Sequence, residues 1–151
     1  MGIIGLEERV NADLTQAMRD QDQVSKLTLR AVKTRLSEVR KQNDNLPLDD
    51  VAAMMVIQKE AKQRRDAIVE YEKAGSNERV EDELAELAVL ERYLPQQLSE
   101  AEIALIVDET IAELDATSMR DMGQVMSAVM PKTSGQADGK VVNQIVRQRL
   151  Q

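Results

Sequence analysis

Residues 121–140, DMGQVMSAVMPKTSGQADGK, carry the pattern in this chain nearest to a chemical site. Gly123 falls in what reads as the first turn of a helix, where glycine is disfavoured by roughly 1 kcal/mol against alanine. One reason to place it there is close backbone approach by another helix or a ligand. Gly135 and Gly139 punctuate a loop over 131–139 that also carries Lys132, Thr133 and Ser134. Backbone N–H groups at two helix starts, beside Lys132 and Lys140, are the chemistry of a phosphate site. The alternative is a tight turn between helices and a helix crossing. GQADGK is not a P-loop, because the four-residue gap and the Ser or Thr after the lysine are missing.

Two further clusters of cations stand out. Lys26, Arg30, Lys33, Ser37, Arg40 and Lys41 fall within about 100° of each other on a helix, beside the apolar set Leu29, Val32, Leu36 and Val39. Several cations on a rigid rod can track phosphates and release counterions. The competing reading is that they snorkel over a core edge or pair with an acidic neighbouring helix. KQRRD, 62–66, offers Lys62, Arg64 and Arg65 as anion ligands, with Lys59 one turn earlier. The same residues also read as ordinary helical pairs, Glu60 with Arg64 and Lys62 with Asp66.

Much chemistry is excluded by residue type. The chain has no Cys and no His, so there is no thiol nucleophile, no disulfide and no Ser-His-Asp triad. A zinc site would have to be built from carboxylates alone, so neither a metal nor another cofactor is expected. The carboxylate pairs Glu100/Glu102 and Asp108/Glu109 lack the basic or aromatic surroundings that tune an acid and a base, and read as caps and solvated faces. No catalytic residue is expected. The methionines Met54, Met55, Met119, Met122, Met126 and Met130 either line an adaptable groove or fill a core without Phe or Trp.

These residues must be positioned by helices, because apolar positions recur with helical period nearly end to end and no segment alternates. A first helix over roughly 3–20 puts Ile3, Leu6, Val10, Leu14 and Met18 inward. A second spans roughly 24–43, and a third runs from Asp49 or Asp50 to about Ala74, with Gly75 as its stop. Ser76 caps a fourth to about Tyr93, with Leu84, Leu87 and Leu90 or Leu94 inside and an acidic outer face of Glu81, Asp82, Glu83 and Glu86. Pro95 is the expected domain boundary. Ser99 and Glu102 fit a capping box that opens a fifth helix to about Leu114, with Ile103, Ile106 or Val107, Thr110 and Leu114 inward. A turn over 115–120 precedes a short sixth helix, and Asp138 caps a seventh. The expected fold is all-α, with a four-helix N-terminal region over 1–94 and a three-helix C-terminal domain over 95–151.

The net charge of −7 disfavours a polyanion ligand, but its distribution does not. Residues 26–41 sum to +5, 78–115 to −10 and 119–151 to +3, and local sign is what a polyanion meets. The N-terminus lacks the basic and apolar regions of a signal peptide, Leu6 stands where a myristoylation signal needs Ser or Thr, and no apolar run approaches the ~20 residues of a membrane span. No membrane partner is expected, and the expected compartment is the cytoplasm.

Four strings coincide with one family. QAMRDQDQVSKLTLRAVKTRL at 16–36, KQRRDAIVEYEKA at 62–74, ELAELAVLERYLPQQLSEAEI at 83–103 and DMGQVMSAVMPKTSGQADGKVVNQIVRQRL at 121–150 closely resemble bacterial YqeY proteins. That family is similar to the tail of GatB, a subunit of the glutamine-dependent amidotransferase that acts on mischarged tRNA, and to a module appended to some glutaminyl-tRNA synthetases. The resemblance implies two helical parts and a tail that touches the outer body of tRNA, while glutaminase and transfer chemistry lie in other parts of that enzyme. It therefore implies a non-catalytic tRNA-binding accessory module. The alternatives are a module docking on a synthetase or amidotransferase, and a family label of carbon–nitrogen ligase activity inherited from the larger enzyme. The family strings fall on Asp121, Met122, Gly123, Gly135, Ala137, Asp138 and Gly139. Lys132, Lys140, Arg147, Arg149 and Arg120 cluster with them as the expected RNA contacts, with Lys26, Arg30, Lys33, Arg40 and Lys41 as a secondary stripe. The two aromatic residues, Tyr71 and Tyr93, are too few for single-strand stacking, which points to shape and backbone recognition; DNA is not expected.

Overall fold

The computed structural model describes residues 5–151, and those residues form an all-α protein. Its α-helices are α1 (Leu6–Arg19), α2 (Gln23–Gln42), α3 (Asp50–Lys73), α4 (Asn77–Glu91), α5 (Glu100–Leu114), α6 (Met122–Lys132) and α7 (Gly139–Leu150), with a 3-10 turn at Met119–Asp121. The chain divides into two compact units, Met1–Leu94 and Pro95–Gln151. Each has its own apolar core.

In the first unit α1 packs on α2, α3 on α4, and α2 also meets α3 and α4. Leu29, Val32, Leu36, Ile57 and Leu90 are its innermost side chains. Each such side chain contributes roughly 1.5–3 kcal/mol on leaving water. Asp22 and Asp49 cap α2 and α3, accepting from Ser25 N at 3.1 Å and Ala52 N at 2.8 Å. The Asp22 carboxyl also accepts from the Ser25 hydroxyl, and the two bonds hold it below its ordinary pKa. Asp50 ties two helix starts together by accepting from Leu6 N at 2.9 Å. Gly75 ends the α3–α4 corner at φ +72°, a left-handed conformation that costs glycine little.

One sequence expectation of this unit, Ile3, lies outside the described residues, and three others change. Met18 is 50% exposed, and Ala17 takes the inward place. The cause is helical drift: each step of four residues rotates the face by about 40°, and the step of three from Leu14 to Ala17 restores it. Leu84, expected inside α4, is 49% exposed. Glu83 and Glu86, expected on the outer face, are half-buried instead and turn toward Arg64 of α3.

In the second unit Ile103, Val107, Val125, Val129, Val142 and Val146 make a core of aliphatic side chains. Ser99 accepts from Glu102 N at 3.1 Å and opens α5. Asp115 ends that helix in the left-handed region at φ 51°. A capping box forms at Ser118 and Asp121, one turn before α6. The expected loop over 131–139 is shorter, because α6 runs on through Pro131 and Lys132. Proline in a last turn keeps helical φ and forfeits only one hydrogen bond. Thr133, which is buried, closes the helix end by donating from its amide to Val129 O and Met130 O, both at 3.2 Å. Residues 96–98 are laced to the turn after α6: Leu98 N donates to Gln136 O at 2.8 Å and Gln97 Nε2 to Gly135 O at 3.0 Å. The methionines split between roles. Met54, Met122 and Met126 pack against the cores, while Met55, Met119 and Met130 are exposed.

Candidate functional site

Two cations of the second unit are held by partners on α5. Lys132 leaves the C-terminal end of α6 and donates to Thr110 Oγ1 at 2.9 Å and Glu113 Oε2 at 3.1 Å, both on α5. Arg149 donates from Nε to Asp108 Oδ1 at 2.8 Å, also on α5. These two are braces between helices. The side chains of Arg120 and Arg147 are exposed and make no hydrogen bond or ion pair among the described residues. Lys140 is exposed at the start of α7. The Met119–Asp121 turn packs against α7, so Arg120 lies on an element adjoining the helix of Lys140 and Arg147.

Of the two helix starts named as anion sites, that of α7 already holds a carboxylate. Asp138 accepts from Lys140 N at 2.9 Å at α7. Asp121 Oδ2 accepts from Thr117 N at 2.9 Å and Ser118 N at 3.3 Å ahead of α6. A phosphate at the start of α7 would have to displace an acid already bound there and already satisfying the helix dipole, whereas Asp121 makes no bond to the N–H groups of α6 itself. The glycines have separate roles. Gly135 stands at φ +74°, where a side chain is strained. A Cβ on Gly139 would touch Met130 Cε at 3.6 Å, an ordinary contact. A Cβ on Gly123 would meet nothing within 4 Å, so no neighbouring helix approaches its backbone.

In the first unit, Arg40 leaves the α2 stripe to pair with Glu7 at 2.8 Å. The side chains of Lys26, Arg30, Lys33 and Lys41 make no hydrogen bond or ion pair among the described residues. The KQRRD segment is structural. Arg64 pairs with Glu60 at 2.7 Å and with Glu86 at 3.5 Å, Arg65 with Glu91 at 3.8 Å, and Lys62 with Asp66 at 3.3 Å. Glu60 is only 4% exposed and also meets Arg35 at 3.3 Å, joining α2 to α3. Arg64 Nε is buried with ion-pair distances to Glu86 and Glu83 but no hydrogen bond. Burial, and then the like charge of Glu86, pushes the Glu83 carboxyl up despite Arg64. Sequence reasoning missed Glu60 as a hub because its helical pair with Arg64 concealed the third partner.

Tyr93 is the buried aromatic of the first unit. Its hydroxyl donates to Asp13 and its ring lies under the Arg9 guanidinium, 4.8 Å from the centroid. Burial pushes the phenol up, and the bond to Asp13 adds to the shift. Among the described residues no group of three or more acids is placed to hold a metal ion. No helix there is long and apolar enough to cross a membrane.

A family model described as Yqey-like protein matches residues 7–150. The chain is 30% identical over 143 residues to Altered inheritance of mitochondria protein 41, mitochondrial, of Pyrenophora tritici-repentis (strain Pt-1C-BFP), covering 93% of this chain and 78% of that protein. It is 41% identical over 58 residues to the E subunit of Glutamyl-tRNA(Gln) amidotransferase from Thermococcus sibiricus (strain DSM 12597 / MM 739). The corresponding protein of Thermococcus gammatolerans (strain DSM 15229 / JCM 11827 / EJ3) is 40% identical over 58 residues. Each of these two matches covers 36% of this chain and 9% of the archaeal protein. An all-helical chain matched by one family model over residues 7–150 belongs to that family, the YqeY (Yqey-like) proteins.

Proposed function

We propose that this protein is a non-catalytic accessory module that binds the sugar–phosphate backbone of tRNA. The observation that carries the reading is the exposed face of α7. Lys140, Gln144 and Arg147 share about 60° of its surface, and α7 contains no carboxylate. Arg120 adds a cation from the adjoining turn. Cations interleaved with amides suit phosphate and 2′-hydroxyl groups, and α7 offers no aromatic ring for stacking. Similarity of a 58-residue stretch to part of an amidotransferase named for glutamyl-tRNA(Gln) supports RNA as the polyanion. On this reading Lys132 and Arg149 brace the fold, and the contact set narrows to Arg120, Lys140 and Arg147. Carbon–nitrogen ligase chemistry with glutamine as amido donor belongs to a larger enzyme, of which this chain resembles a small part.

The test is fluorescence-anisotropy titration of bulk tRNA at two salt concentrations. Wild type should bind, with affinity falling as salt rises. Absence of any salt-dependent binding would refute the proposal. A second reading, docking on a synthetase or amidotransferase, draws on Leu105, Met119 and Met130, which stand exposed in the second unit. A partner retained through nuclease treatment would favour it.

A further inference from the structure

We propose that α2 carries a second RNA-binding face, on the first unit, that tracks the phosphates of a duplex arm. The proposal rests on the reading that the chain binds tRNA and adds a surface to it. Lys26, Arg30, Lys33 and Lys41 lie within about 80° of one another, with Ser37 between Lys33 and Lys41, over about 22 Å of helix. All are on a helix whose adjoining side, Leu29, Val32 and Leu36, is fixed in the core. The cations are therefore displayed on a rigid rod.

Among the described residues no acid pairs with these charges, although acids are within reach. α4 packs against α2 and is rich in carboxylates, yet Glu83 and Glu86 turn to Arg64 of α3, and Glu91 pairs with Arg65. Neighbouring cations of α2 are taken: Arg35 by Glu38 and Glu60, Arg40 by Glu7. The four that remain face no partner among the described residues, in a chain with an excess of acids. A row of unneutralised cations resists folding slightly by self-repulsion, and a polyanion relieves it. Ser37 keeps the middle of the row low, so a phosphate can approach the helix and accept its hydroxyl. With no aromatic side chain on α2, the face fits a duplex backbone and not splayed bases.

The test compares three forms of the full chain: wild type, Lys26/Arg30/Lys33/Lys41→Ala, and Arg120/Lys140/Arg147→Ala. Each is titrated with bulk tRNA and with a 24-base-pair RNA duplex across a salt series, and folding is checked by circular dichroism. Alanine at these helical positions, of which Lys26 is half-buried, preserves helix propensity. The α2 variant should bind both RNAs more weakly, with a log–log salt slope shallower by about 3, at near 0.9 for each phosphate no longer neutralised. A Lys26/Lys33/Lys41→Arg variant, which keeps the charge, should bind like wild type. Wild-type affinity and slope in the α2 alanine variant, with weakening only in the α7 variant, would overturn the α2 face and leave tRNA binding standing. No binding by wild type would overturn both. Exposed Leu27 and Val24 flank the row, so anionic phosphatidylserine vesicles are the control. Loss of vesicle binding without loss of RNA binding in the α2 variant would make the partner a membrane surface and overturn the RNA assignment.

Discussion

Lys132 Nζ donates to Thr110 Oγ1 at 2.9 Å, across the gap between the end of α6 and the core face of α5. Thr110 is buried and passes its own proton to Ile106 O at 2.8 Å, so its hydroxyl is free to accept only from outside its helix. The lysine that the sequence placed first among the RNA contacts thus secures two helices of the second unit.

Lys132→Ala should therefore read as a stability variant. Loss of a charge-assisted bond to a buried acceptor, from a half-exposed lysine, should cost about 1 kcal/mol in urea denaturation. Its tRNA affinity should stay within about twofold of wild type. A large affinity loss at unchanged stability would return Lys132 to the interface.

Glu60→Ala removes a buried acid from between Arg35 and Arg64. Arg35 can turn to solvent and keep Glu38, and Arg64 keeps Glu83 and Glu86, so the loss should fall at the low end for a broken buried pair, about 3 kcal/mol. Chemical denaturation followed by far-ultraviolet circular dichroism measures it. A change below about 1 kcal/mol would mean the hub contributes little beyond its helical pair.

Tyr93→Phe should cost about 1–2 kcal/mol at neutral pH by removing the bond to the Asp13 carboxylate. The pH dependence has a definite sign. The folded phenol has a raised pKa, so its contribution is complete below the unfolded value of about 10 and is lost as pH rises above it. Wild type should lose stability relative to Tyr93→Phe as pH rises past that point. Parallel alkaline curves for the two proteins would refute the shift.

The two glycines should respond oppositely. Gly123→Ala meets nothing within 4 Å in a helical turn and should stabilise by up to about 1 kcal/mol. Gly135→Ala forces a side chain into a left-handed turn and should destabilise by about 1 kcal/mol. Thermal melts decide both. Destabilisation by Gly123→Ala would restore the close approach that the sequence suggested.

The helices were legible because their cores are built from aliphatic residues at helical spacing, and Asp49, Ser99 and Asp138 announce starts that the structure keeps. What the sequence concealed were pairings between helices. Leu84 looked like a core residue because a leucine series continues through Leu87 and Leu90, but Arg64 draws Glu83 and Glu86 to that edge and rotates Leu84 out. Pro131 looked like a helix stop, while in a final turn it only forfeits one bond. Among the candidate contacts, residue type alone could not separate Arg147 from Arg149. The distinction lies in Asp108, forty-one residues earlier on another helix.

The most direct measurement is the salt-dependent titration of tRNA with wild type and with Arg120/Lys140/Arg147→Ala. The α7 reading predicts binding by wild type that weakens as salt rises, and in the variant a lower affinity with a salt slope shallower by about 2–3. Equal affinity and equal slope in the two proteins, with folding intact, would contradict it.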